Sequence, residues 1–568
     1  MTGPSAGLRV ALLSVSACVL FLAVATAGTA TQPYAPNDWA FSHVLLADRA
    51  LASGHLPLNQ DVLSNGDFAA NHGAFLADTH LHLLTFYAST VWHFWNGLPL
   101  HPSLVATLAA GTGLSPEDTM RLPLGGMVLV LLVHASATLI LGRMQGTDPR
   151  LAAAAPFLLA AACAPFALDM RVLMPSVTLV LLGVMLHAML RRLFLQDRAA
   201  LAWGLLPLVL LPFWYYTVSY FVILLLLGFV AADVALRLRY GRQRPVLVPA
   251  WAALAICAVL GVALLANSAL TSHLKLASQM SGSWIAPDAG SDYTTHLNRQ
   301  AWRSALLYTG IALLFAPLVA GGALAARDFL RRRPLGHAAA VFALWGVGGT
   351  LFSVALESTV GVSFLNRTVI YLAPLGALAA SILLSRVWGR RTLRAAAIVA
   401  CAALLVLTTA LVATATPRYV ADDARAYEWV GRSVPPLGVV YAPLEVGSAL
   451  FRQHGIVNML AFYPRVSVLE DVWYGHDAER LVPYLASFDY LVVRHEVTRG
   501  GFEEFGPLRQ PIDAQAYAKF AASRDLALVY QNGEVDVYRV MLRDGPTTGD
   551  GGSGAPGLPP SGGGTPAS

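Results

Sequence analysis

The stretch from Arg121 to Arg143, RLPLGGMVLVLLVHASATLILGR, decides the fold class. Between its two arginines the only ionisable side chain is His134. A helix rises ~1.5 Å per residue, so about 20 apolar residues match the ~30 Å hydrocarbon core of a bilayer. The run has that length, and the sequence repeats it. Further apolar segments occupy residues 8–28, 151–168, 172–190, 199–214, 217–236, 246–268, 301–325, 336–356, 365–385 and 395–415. Across all 568 residues, 56% are apolar and 12% are charged, against roughly 25% charged in a soluble domain. A globular core cannot enclose that much apolar side chain, because surface does not shrink fast enough with size. Lipid can solvate it.

Charge sets the orientation. Basic clusters stand at every second junction: Arg143/Arg150, Arg191/Arg192/Arg198, Arg237/Arg239/Arg242/Arg244, Arg327/Arg331/Arg332/Arg333 and Arg386/Arg390/Arg391/Arg394. With Arg9 they put 18 basic residues on one side, against seven on the other before residue 416. The richer side is cytoplasmic. The N-terminus is then inside and residues 416–568 outside the cell membrane. Two short apolar stretches rich in His and Trp, Thr79–Trp95 and Leu100–Gly113, either cross as a pair or lie in the interface. The expected count is therefore 11 spans, or 13. Ala25-Thr26-Ala27 resembles a signal-peptidase site at the end of the first span. The net charge of +5 is explained by this topology, and no continuous basic patch offers a face to nucleic acid. Cys18, Cys163, Cys257 and Cys401 all fall inside apolar runs, so neither a disulfide framework nor a zinc site is expected.

Three segments face the exterior. The first loop, residues 29–121, is far longer than an ordinary connection and holds seven of the 15 histidines. Within it Ala40–Ala52 reads as an amphipathic helix with Asp38 near its start. A second loop, Thr271–Gln300, carries Gly, Ser and aromatic residues. After the membrane domain of residues 1–415 comes an α/β domain over 416–544. It has a helix at Asp422–Arg432, buried strands at Val439–Tyr441 and Tyr490–Val493, and a hairpin over Leu526–Val540 turning at Asn532-Gly533. Residues 545–568 have the Gly/Pro/Ser/Thr composition of a disordered tail.

Three exported positions carry chemistry. Asp38, in Pro36-Asn37-Asp38-Trp39, is a general base, a ligand for a divalent cation, or a helix cap. Asp169, in a very short outer turn after the third span, is a functional ionisable group at membrane depth or one half of a pair with Arg171. Arg367 opens the tenth span from outside, against the positive-inside pattern. Its guanidinium grips phosphate oxygens in two-point fashion or snorkels to headgroups. Glu357 could pair with it. His43, His82 and Asp78 are supporting candidates, although most loop histidines read as interface anchors or hydrogen-bonding groups.

Taken together these positions resemble the GT-C superfamily of membrane glycosyltransferases, which includes the catalytic subunit of oligosaccharyltransferase and its bacterial and archaeal relatives. Asn37-Asp38 followed by His43, then Gly54 and Pro57, is similar to the family's Asp-x4-His and Gly-x-x-Pro. Gly113 to Pro116, Arg121-Leu122-Pro123, Trp214-Tyr215-Tyr216-Thr217 and Asn366-Arg367 also resemble family stretches. The resemblance implies a polyprenyl-phosphate-linked sugar as donor and a glycan or protein as acceptor. It implies Asp38 and Asp169 as catalytic or metal-holding carboxylates, with Mg2+ or Mn2+ as the ion. It also implies Arg367 as the residue facing the lipid phosphate, and inverted stereochemistry. One carboxylate stands where oligosaccharyltransferases carry an acidic pair, and no Trp-Trp-Asp-Tyr-Gly follows the last span, which argues against asparagine as acceptor. The competing readings are a non-catalytic scaffold or degenerate transferase, and a transporter. A transporter predicts internal repeats and midplane charges, which the sequence lacks.

Overall fold

The computed structural model describes most of residues 38–54, 100–163, 174–266, 365–400 and 420–541, with shorter pieces within 12–23 and 316–346. The loop 271–300, the tail 545–568 and the greater part of the first exported loop lie outside the described residues.

The first exported loop contributes α1 (Asp38–Ser53), α2 (Leu100–Thr112) and α3 (Pro116–Arg121). α1 begins at a carboxylate, which suits the positive end of a helix. It stops at Gly54, whose φ of +75° is open to glycine and whose N–H closes on the Ala50 carbonyl at 2.9 Å. Gly113 ends α2 in the same way, with φ +72° and a bond to Ala109. Ser115 accepts the Asp118 N–H at 3.0 Å and starts α3. Val44, Ala47 and Ala50 of α1 pack with Val105, Ala106 and Met120 into a small core, while Leu46 joins the main apolar core of the membrane helices. α1 thereby packs both on α2 and α3 and against the main apolar core.

The membrane part runs through α4 (Leu124–Leu141), α5 (Ala154–Cys163), α6 (Met174–Leu195), α7 (Arg198–Leu205), α8 (Leu211–Trp214), α9 (Tyr216–Tyr240), α10 (Ala250–Ala266) and α11 (Leu365–Val387). α4, α5, α6, α9, α10 and α11 each overlap an expected span, and α7 and α8 share the one at 199–214; the spans expected at 8–28, 301–325, 336–356 and 395–415 lie largely outside the described residues. Among the described residues, three helical stretches are long and apolar enough to cross a membrane: Pro116–Leu141, Val177–Leu195 and Val218–Tyr240. The expected 199–214 span runs as one apolar helical stretch, Arg198–Trp214. Within it Pro207, which lacks an N–H, sits in a 3-10 turn, Leu206–Leu210, before α8.

The C-terminal part begins with α12 (Ala421–Ser433). Its strands are β1 (Val440–Tyr441), β2 (Val457–Asn458), β3 (Tyr490–Arg494), β4 (Phe502–Glu503), β5 (Leu508–Arg509), β6 (Leu526–Gln531) and β7 (Val535–Val540), with α13 (Ala514–Ala522) before β6. Five strands form a sheet in the order β2-β1-β3-β7-β6, and β4 pairs with β5 separately. β1 is parallel to β2 and β3, while β7 is antiparallel to β3 and β6. Alternate residues serve opposite faces. Val440, Val492, Val535 and Val537 share a core with Ala426, Tyr427 and Val430 of α12. Tyr441, Leu491, Val493 and Tyr538 share one with Ala516 and Phe520 of α13. The α/β expectation and its helix and strands hold. The hairpin turns one residue later than expected. The Asn532 N–H donates to the Val535 carbonyl, and the Asn532 side chain accepts the Glu534 and Val535 N–H groups. Gly533-Glu534 is therefore the central pair.

Candidate functional site: the ring chain beneath the Asp38 helix

Of the expected site residues, Asp38 is the first residue of α1 and Arg367 stands in the first turn of α11. His43 lies on the buried side of α1. Asp169, Asp78, His82 and Glu357 lie outside the described residues.

What connects the two ends of the site is a series of aromatic contacts. His43 meets His101 of α2 edge to face, with ring centroids 4.3 Å apart and planes at 87°. His101 meets Trp214 at 5.9 Å and 67°. Trp214 ends α8 and is followed almost at once by α9. Two turns along, Phe221 of α9 meets Tyr371 of α11 at 5.9 Å. Tyr371 lies one helical turn after Arg367. α1 is thus linked through His101 to the end of α8, and α11 touches α9 at Phe221, seven residues after Trp214. α11 also packs most extensively along α5, whose last residue, Cys163, precedes Asp169 by six positions.

The histidines of this series are not interface anchors. His43 and His101 are buried, at 1% and 0% exposure. Burial holds the His101 imidazole down to about 3, and His43 well below the usual range, with His101 adding to the effect at His43. Both rings are neutral at ordinary pH. An edge-to-face pair suits neutral imidazoles, because the electropositive edge of one meets the π-face of the other. Neither ring nitrogen of His101 has a hydrogen-bond partner among the described residues. Nearby on α3, Glu117 and Arg121 satisfy each other at 2.9 Å.

Sequence reading treated His101 as one more loop histidine, and missed its partnership with Trp214. The signal was divided between two distant places, an isolated His in an apolar stretch and a Trp-Tyr-Tyr-Thr motif at the end of an apolar run. Also unforeseen was a buried pair in the C-terminal part. Arg494 of β3 donates from Nε and from a terminal nitrogen to the two Asp423 oxygens, both at 2.8 Å. Asp423 Oδ2 also accepts the Val420 N–H at 2.8 Å.

As for a metal, no three His, Cys, Asp or Glu side chains converge among the described residues.

No family model matches the sequence, and no curated protein matches it. Solved structures do. The oligosaccharyltransferase AglB of Archaeoglobus fulgidus, in complex with an inhibitory peptide and a dolichol-phosphate, superposes with a TM-score of 0.57 at 12% identity. The match covers 86% of this chain and 70% of that one. The chain has a GT-C fold. The same archaeal enzyme in complex with Zn and sulfate gives 0.53 at 13% identity, over 93% of this chain and 73% of that one. A weaker likeness, 0.45 at 15% identity, is to the mycobacterial arabinofuranosyltransferase AftD, over 94% of this chain and 42% of that one. The GT-C fold expected from scattered motifs is present.

Proposed function

We propose that this chain is a membrane glycosyltransferase that moves a sugar from a polyprenyl-phosphate-linked donor to a hydroxyl on a glycan or protein acceptor. It acts at the extracytoplasmic face of the cell membrane. The observation that carries the reading is the fold shared with the archaeal oligosaccharyltransferase over 86% of this chain, in which Asp38 begins α1 and Arg367 stands in the first turn of α11. The AglB structures support the donor class, since one of them holds a dolichol-phosphate.

In this reading the acceptor hydroxyl attacks the anomeric carbon. The bond from that carbon to the phosphate oxygen breaks, and its electron pair leaves with the polyprenyl phosphate. The hydroxyl proton passes to the Asp38 carboxylate, acting as general base. Arg367 offsets the charge growing on the phosphate oxygens. Asp169 is the second carboxylate, orienting the acceptor. Mg2+ or Mn2+ held by Asp38 and Asp169 would add positive charge beside the phosphate. A single displacement inverts the anomeric centre. The lipid tail stays in the bilayer, which requires the site at the membrane surface. The 416–544 domain stands outside, above that site.

The test is a donor panel. Full-length protein in lipid nanodiscs is given polyprenyl-phosphate-linked monosaccharides and an acceptor extract, and free polyprenyl phosphate is measured. Wild type releases it with at least one donor. Arg367→Ala raises the donor KM by about tenfold or more, as expected for loss of a charge-assisted phosphate contact. An absence of release across the panel, or an unchanged KM in Arg367→Ala, contradicts the proposal.

A further inference from the structure

We propose that His101 is a positioning residue, whose ring latches α1 to the α8–α9 junction through His43 on one side and Trp214 on the other, so that the latch holds only while both imidazoles are uncharged. The proposal rests on the transferase reading in one respect, namely that the place of Asp38 matters for turnover.

Three observations converge on it. First, the contact is built. His101 touches rings from two other elements, α1 and the end of α8, and is itself fully buried. Second, it lies where α1 is fastened. Val44, Ala47 and Ala50 around His43 pack on Val105, Ala106 and Met120, next to His101 on α2 and on α3. With Asp38 as the first residue of α1, only about one and a half helical turns separate the fastening from the carboxylate-bearing position. Third, the charges of α3 have partners of their own, and α1 carries Asp38, Asp48 and Arg49 besides His43. On α3, Glu117 pairs with Arg121 at 2.9 Å, and the Asp118 carboxylate accepts the Ser115 hydroxyl at 2.7 Å. On α1, Asp48 is half-buried and lies more than a turn beyond His43. α8, Leu211–Trp214, contributes no ionisable side chain. After burial, the influence that lowers His43 further is that of His101. A proton added to either ring would be buried beside its neighbour and would turn an edge-to-face attraction into repulsion. The depressed values of both rings place that event on the acid side of the ordinary histidine range.

The consequence is an acid limb set by the latch and not by the catalytic carboxylate. Acid protonation loosens α1, and with it the position of Asp38. The interaction is lost without unfolding the sheet domain, whose packing does not involve it.

Hydrogen exchange on the full-length protein in nanodiscs reads the latch without any substrate. Amides of residues 39–53 are compared at pH 7.5 and pH 4, after correction for intrinsic exchange. Wild type should lose protection by about tenfold at the lower pH, as a local opening, while amides of β7 keep theirs. His101→Phe, which keeps a ring but cannot take a proton, should hold α1 equally at both pH values. His43→Phe should do the same, and serves if the first variant folds poorly. Equal protection of wild type at both pH values, or the same acid loss in the folded Phe variants, overturns the proposal. With a donor from the panel above, the Phe variants should extend kcat to lower pH and leave the donor KM unchanged. Asp38→Asn separates the two claims. Its α1 protection should follow wild type at both pH values, whatever its turnover.

Discussion

At the scale of single residues, Gly204 shows how closely the membrane helices approach. A Cβ built on Gly204 of α7 would collide with the Ala188 side chain of α6. Gly204→Ala should cost ~1–3 kcal/mol, the usual penalty for overpacking a tight contact. Gly111, in α2, has open space around it, and Gly111→Ala should be neutral or stabilise by about 0.5–1 kcal/mol through helix propensity. Thermal unfolding in detergent checks both. The buried Asp423–Arg494 pair gives the opposite lesson. Its side chains are 0% and 6% exposed. Asp423→Ala strands a guanidinium and should cost about 3–5 kcal/mol, whereas replacing both partners with apolar residues of similar volume should recover most of that. A guanidine melt of the single and double variants decides it. Neither residue stood out in the sequence, because Asp423 and Arg494 lie 71 positions apart and each looks like ordinary surface charge.

At the scale of elements, the periodic signals were legible and the turns were not. Among the described residues the apolar runs coincide with the helices α4 to α11, since lipid demands length and little else. The α7–α8 segment reads as one run by hydropathy and continues as one helical stretch, with Pro207 marking only a 3-10 turn inside it. The hairpin was visible from Asn532-Gly533, but the Asn532 side chain captures two N–H groups and moves the turn by one position. In the C-terminal part α13 carries Lys519, a nearly fully buried lysine whose ammonium donates to the Asp471 and Gly475 carbonyls at 3.0 and 2.6 Å. Burial pulls it down to about 8, below the ~10.4 of a free lysine. The unfolded chain therefore binds more protons than the folded one between those values, and stability rises with pH across that window. The neutral amine still has two donors for two carbonyls. Denaturant midpoints at pH 8, 9 and 10 should climb in wild type, and the part of that climb due to Lys519 should vanish in Lys519→Met.

At the scale of the whole molecule, membrane residence was legible from the apolar runs, and the GT-C fold from short motifs spread over most of the chain. The path joining the site's parts was not legible. It depends on rings from five helices, His43, His101 and Trp214 in one series and Phe221 with Tyr371 in another, which meet only after the helices pack. The orientation makes a direct prediction. A cysteine at exposed Gln531, in a background lacking Cys18, Cys163, Cys257 and Cys401, should react with a membrane-impermeant maleimide on intact cells, and labelling only after lysis would reverse the topology. The central claim is that the carboxylate at the head of α1 takes the acceptor's proton. Its most direct test is the turnover of Asp38→Asn in nanodiscs with the lipid-linked donor. A fall of about 10²–10⁴-fold in kcat, with the protein folded, is the result expected of a lost general base. Turnover equal to wild type would contradict it.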